Sequence, residues 1–149
     1  MKHYGNPSYA YKEARIRTAG QGQLIVMLYD EAVKYLDRGL ELLNLNTKGK
    51  RDPGRIEKIN KAVLKAQEII TELMASLDFD QGGEIAQNLF SLYSWFNQEL
   101  LEANVKQDPR RITIVRNMVN ELRGAWGEVV SRTSAETVNR PAVGVNIAG

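Results

Sequence analysis

The chain has 149 residues, 43% hydrophobic and 26% charged, the size and balance of one globular domain, which excludes wholesale disorder. Its 20 basic and 18 acidic side chains leave a formal charge of +2, too small to pull the molecule onto nucleic acid or anionic lipid, and the pI near 8.9 reflects the same slight excess. With no cysteine and a single histidine, His3, standing ahead of any predicted helix, thiolate and disulfide chemistry are excluded and most metal and nucleophile chemistry goes with them.

Taken in chain order, the punctuation divides the sequence into a short leading helix, about Tyr9 to Arg17, and four long ones. The first long helix is predicted from Thr18, where Thr-x-x-Gln offers a capping box with Gln21, to about Leu45. Ile25, Leu28, Ala32, Leu36, Gly39 and Leu43 recur every three or four residues and line one face, with Gly39 expected to admit a neighbour closely. A polar stretch from Asn44 reads as a loop that ends at Asp52, an N-cap before Pro53. The second helix, to about Leu77, carries Ile56, Ile59, Val63, Ala66, Ile70, Leu73 and Leu77 at strict 3-4 spacing, the seam of bundle packing.

Asp78-Phe-Asp-Gln-Gly-Gly83 breaks that helix, because short acids prefer turns and glycine lacks a side chain that would hold helical angles. Phe79 is expected to tuck back onto the bundle. The third helix, about Glu84 to Val105, has Ile85, Leu89, Leu92, Phe96, Leu100 and Ala103 on its seam, and Phe90, Tyr93 and Leu101 widen the stripe beyond what one neighbour covers. Asn104 suits a cap at its end. Asp108-Pro109 opens the fourth helix, which carries Ile112, Val115, Val119, Leu122, Trp126 and Val129 and is predicted to stop near Arg132. Residues 133–149 hold two charges and no periodic pattern, so they read as a mobile tail.

Short connections favour antiparallel neighbours, so the expected fold is all-α: an up-down-up-down four-helix bundle over 18–132, residues 1–17 packed on it, and the tail outside. Chemistry is scarce in that frame. Di-iron bundles need inward Glu-x-x-His pairs, and no histidine follows position 3. Asp78-x-Asp80 imitates the start of a calcium loop, but the twelfth position is Leu89 where a bidentate Glu belongs, so a turn is the better reading. Gly20-x-Gly22 lacks the strand that a phosphate loop requires. Lys48-Gly-Lys-Arg51, with Arg55 and Lys58, could touch phosphates but has no interleaved aromatic residues, and a solvated loop explains it. No catalytic, metal or cofactor site is expected.

Apolar surplus is the remaining signal. Tyr4, Tyr9, Tyr11 and Ile16 lie outside the four seams and call for a surface to cover. Leu24, Met27 and Tyr29 flank the first seam, where they either close the core or form an adaptable contact surface. Tyr93 and Trp126 read as core residues.

The order of Thr18-Ala-Gly-Gln-Gly-Gln-Leu-Ile-Val-Met-Leu-Tyr-Asp30, Asn88-Leu-Phe-Ser-Leu-Tyr93, Glu102-Ala-Asn104 and Leu122-Arg-Gly-Ala-Trp126, with Tyr11 and Ile16 upstream, resembles the flagellar secretion chaperones of the FliS family from about Tyr4 to Arg132. The resemblance implies a non-enzymatic cytoplasmic protein that binds the carboxy-terminal helical segment of flagellin, prevents its premature polymerisation and passes it to the type III export apparatus. It assigns Leu24, Ile25, Met27, Leu28 and Tyr29 to the signature helix, and Tyr11 and Ile16 to a leading segment that packs over the client groove; the apolar surplus of Tyr9, Tyr11 and Ile16 separately reads as a built-in stand-in for the client. Lys65-Ala-Gln-Glu-Ile-Ile70 resembles the family's second helix, which makes Gln67 a polar group within the packing. Gly20-Gln21-Gly22 departs from the proline that many members carry there. The competing reading is a helical nucleic-acid-associated or regulatory adaptor that uses the basic loop with Arg110, Arg111 and Arg116. Nucleic-acid partners and membrane insertion are otherwise not expected, since no apolar run reaches the roughly 18 residues of a membrane span.

Overall fold

A computed structural model describes residues 21–49 and 52–139, apart from the side chains of 47, 48 and 133–139. It contains α1, Gln21–Lys48, α2, Pro53–Ala75, α3, Phe79–Lys106, and α4, Pro109–Asn139. The predicted leading helix and the Thr18 cap lie outside the described residues. Packing divides the chain into two units, Met27–Leu122 and a second made of Met1–Val26 with Arg123–Gly149.

Within Met27–Leu122 the side-chain pairings fix an antiparallel four-helix bundle. Gly39 lies against Ala62 and Val63, while Asn46, further along α1, meets Arg55, earlier on α2. Gln67 and Thr71 of α2 meet Asn97 of α3, and Asn60 meets Gln107. Arg111 of α4 grips Glu99 of α3 through two bonds of 3.0 and 3.1 Å, and Arg116 closes the ring onto Asp37 of α1 at 2.8 Å. Each helix therefore neighbours the next, with α4 returning to α1. Between diagonal partners, the Tyr29 and Tyr93 hydroxyls meet across the interior.

The core follows the apolar spacing closely. Ile59, Val63, Ala66, Ile70 and Leu73 are buried as the α2 seam predicts, as are Leu28, Ala32, Leu36 and Leu43 of α1 and Ile112, Val115 and Val119 of α4. On α3 the phase differs. Phe96, Leu100 and Ala103 are buried as expected, but Ala86 and Tyr93 join them, Leu89 and Leu92 are half-buried, and Ile85 is exposed. The wide stripe on α3 allowed both phases, and the chosen one gives the Tyr93 hydroxyl a partner in Tyr29. A methyl group added to Gly39 would sit 3.6 Å from Val63, an ordinary contact, so glycine is not needed there for a close approach.

Three aspartates start helices. Asp52 accepts from the Gly54 amide, Asp78 from the amides of Asp80 and Gln81, and Asp108 from that of Arg110, each at 3.0 Å. These bonds satisfy amides that have no carbonyl partner within the helix. The predicted break after α2 is real but shorter than expected: a helical turn begins at Phe79, Gly83 departs from helical geometry at φ 50 and ψ −124, and the long part of α3 follows. The α1 helix continues past Leu45 to Lys48 because Asn46 is buried, where its side-chain oxygen accepts from the Asp52 amide and from Arg55, both at 3.1 Å. Asn104 is not the cap of α3. Gln107 takes the left-handed conformation there at φ 52, and its side-chain amide donates to the Asn104 carbonyl at 2.8 Å. In the second unit, α4 continues past Arg132 to Asn139, so the first part of the expected tail is helical. Gly22 packs there against Val130, so closely that an added methyl would come within 2.8 Å. Steric access thus accounts for this glycine.

Candidate functional site

Helix α3 carries more apolar surface than the core consumes. Phe90, Ser94, Asn97, Leu101 and Val105 recur at 4-3-4-4 spacing and so share one face, turned toward α2 because Asn97 touches Gln67 and Thr71 there. On α2, Asn60, Leu64, Gln67 and Thr71 repeat the device at 4-3-4 spacing. The same register sets Leu64 opposite Leu101. These side chains are well outside the core: Leu64 and Leu101 are each 51% exposed, Val105 74% and Phe90 42%. Phe79, expected to tuck onto the bundle, is instead largely exposed, and its ring meets the edge of Phe90 at a centroid distance of 5.9 Å and an angle of 63°.

The seam between α2 and α3 therefore presents an apolar patch at each end. Leu64, Leu101 and Val105 form one, Phe79 and Phe90 the other. A polar rung separates them: the Gln67 amide donates to the Asn97 carbonyl at 3.1 Å, and the Asn97 amide donates to the Thr71 hydroxyl at 3.2 Å. Among the described residues these apolar side chains keep much of their surface accessible. Phe90 and Leu101 were visible in the sequence as surplus on the third seam. Leu64 and Val105 gave no such signal, because single apolar residues off a seam are common on protein surfaces.

The residues expected to contact a partner fall into three groups. Tyr11 and Ile16 lie outside the described residues. Tyr29 is 0% exposed, and Ile25 and Leu28 are buried. Leu24 and Met27 are half-buried and keep accessible surface. Of the residues expected to be structural, Tyr93 is buried against Phe96 and Tyr29, Gln67 is half-buried in the rung, and Trp126 is half-buried.

The arginines nearest the seam are engaged. Arg111 is paired with Glu99, and Arg110 and Arg111 each lie 3.5 Å from Asp108. The slight burial of Asp108 favours its neutral form, but the Arg110 amide and the two guanidinium groups outweigh this and hold its carboxyl below the ordinary aspartate value. The Asp78 turn is a helix cap, with its carboxylate already turned to two backbone amides. Among the described residues no helix is long and apolar enough to cross a membrane.

Among the described residues the four-helix bundle thus leaves an apolar seam exposed between α2 and α3. Residues 4–133 match the family described as "Flagellar protein FliS", and the chain belongs to that family. It is 33% identical to the flagellar secretion chaperone FliS of Salmonella typhimurium over 82% of this chain and 85% of that one. Identity is 32% to the Escherichia coli K12 protein of the same name, over 83% and 88%, and 27% to that of Bacillus subtilis, over 84% and 86%.

Proposed function

We propose that the chain is a cytosolic holder for flagellin: it binds the carboxy-terminal helical segment of its client, prevents premature polymerisation and delivers it to the flagellar type III export apparatus. The observation that carries this reading is the uncovered α2/α3 seam, with Leu64, Leu101, Val105 and Phe90 exposed in a protein whose relatives are named as flagellar secretion chaperones. Covering a helix built for self-assembly lowers the free concentration of the polymerising form by mass action. Ordering a segment that is disordered when free gives back part of the contact energy, so the complex stays releasable. No covalent step is involved.

Calorimetry tests it directly. The organism's flagellin should bind one to one with a negative heat-capacity change, the marker of apolar burial. Flagellin lacking its carboxy-terminal segment should not bind, and Leu101→Glu should weaken binding by about 2 kcal/mol or more, the range of an interface hot spot. Equal binding of full-length and truncated flagellin would sink the assignment. The adaptor reading loses support from the pairing of Arg111 with Glu99 and Arg116 with Asp37, which engages two of the three fourth-helix arginines it named.

A further inference from the structure

The opposite flank of α2 has a different character. Lys34 and Arg38, one turn apart on α1, face Lys58, Lys61 and Lys65 on α2 across a groove of about 610 Å³. Its floor is apolar: Tyr35 is half-buried, and Leu42 and Ala62 are buried beneath the cationic rims. Gathering five cations around one groove is a strong local excess in a chain whose net charge is only +2. Two of them have neighbours, Arg38 with Glu41 at 3.8 Å and Lys65 with Glu68 at 3.7 Å. Both pairs are long and more than half exposed, and such contacts contribute little to stability and exchange readily. Among the described residues Lys34, Lys58 and Lys61 have no ion pair at all.

Neither the core nor the α2/α3 seam uses this arrangement. Mutual repulsion among cations is tolerated on a surface, but it leaves a positive potential focused between two helices, over a floor that water solvates poorly. We propose that the groove docks an acidic amphipathic helix of a partner protein, its apolar side chains on Tyr35, Leu42 and Ala62 and its carboxylates on the two cationic rims. A groove between adjacent antiparallel helices is shaped to receive the ridge of a third. The lysine stems add apolar wall while their ammonium groups stay in water at the carboxylates' height. Nucleic acid satisfies only half of these features: its phosphates would meet the rims, but also Glu41 and Glu68, and its backbone has nothing apolar to set on the floor. This site is separate from the flagellin seam, since it uses the other side of α2.

The test uses the full chain and a fluorescein-labelled synthetic peptide of about five helical turns, with leucines on one face and glutamates flanking them. A peptide of the same composition in scrambled order and a duplex oligonucleotide serve as competing probes. The amphipathic peptide should bind about tenfold more tightly than the scrambled one, and added salt should weaken it. Lys58→Glu with Lys61→Glu should lower its affinity about tenfold and Lys34→Glu should act the same way, while the Tm and flagellin binding stay unchanged. Flagellin titrations on the same samples keep the two readings apart, because loss of flagellin binding in Leu101→Glu concerns the seam alone. Equal affinity for the two peptides, preference for the oligonucleotide, or indifference to the charge reversals would overturn the proposal.

Discussion

Tyr29 and Tyr93 each bury a phenol that the core could have filled with phenylalanine, and each oxygen is tolerated because the other lies beside it. Tyr93 has no further hydrogen-bond partner among the described residues. Tyr29→Phe therefore strands its hydroxyl and should cost about 1–3 kcal/mol in urea unfolding, whereas adding Tyr93→Phe should recover part of the loss. Strictly additive effects would show that the two hydroxyls do not interact. Burial pushes the Tyr93 hydroxyl above the ordinary phenol value, and the bond to Tyr29 offsets only part of that rise. The folded chain thus keeps this proton at a pH where the unfolded chain has lost it. Stability should be unaffected by this group below about pH 10 and fall above it, and Tyr93→Phe should remove that share of the alkaline loss. The sequence alone could not have separated the two readings of Tyr29. Its spacing beside the first seam is the same whether the ring turns inward or outward, and only Tyr93, sixty-four residues away, decides it.

Elements were more legible than individual side chains. The 3-4 spacing of α2 and the Asp-Pro pairs at 52–53 and 108–109 located helices that the structure reproduces, because capping and seam periodicity are local properties. Helix ends were harder, since they depend on long-range anchors. Asn46 prolongs α1 only because Asp52 and Arg55 come back to it, and Gln107 ends α3 in reach of Asn60 on α2. Gly83 is the clearest case of a backbone requirement. Nothing lies within 4 Å of where its Cβ would stand, so Gly83→Ala should be destabilising by about 1–3 kcal/mol through backbone strain alone. Gly124 is equally open but sits in the regular helix α4, and Gly124→Ala should instead stabilise by about 0.5–1 kcal/mol. Thermal unfolding of the two variants measures both signs. If both substitutions stabilise, the kink at Gly83 is not maintained in solution.

The whole molecule combines a near-neutral charge balance with apolar surface on its exterior. Near its pI of about 8.9 the chain loses the net repulsion that keeps copies apart, while Leu64, Leu101 and Val105 stay exposed. Light scattering should therefore report self-association that rises from neutral pH toward that point, and Leu101→Lys with Val105→Lys should suppress it without lowering the Tm. Unchanged scattering in that variant would assign the association to another surface. Architecture at this scale was readable from the seams, but the two outer grooves were not. Lys34 and Lys58, or Leu64 and Leu101, are neighbours only after α2 has packed against α1 and α3.

The polar rung of Gln67, Thr71 and Asn97 adds a condition on whatever helix occupies the seam. The Gln67 amide is bonded to the Asn97 main-chain carbonyl and the Asn97 amide nitrogen to the Thr71 hydroxyl, while the Asn97 side-chain oxygen is buried without a partner among the described residues. None of them offers an apolar side chain a contact, and Leu101 and Phe90 stand eleven positions apart on either side of the rung, about 16 Å along the helix axis. A matching ligand must then be written as two greasy blocks, some three turns apart, with small or hydrophilic residues between them. An uninterrupted leucine stripe would have to forfeit its middle contacts. Under the proposed flagellin-binding role, the seam would favour helices with that rhythm over a more hydrophobic competitor that lacks the gap.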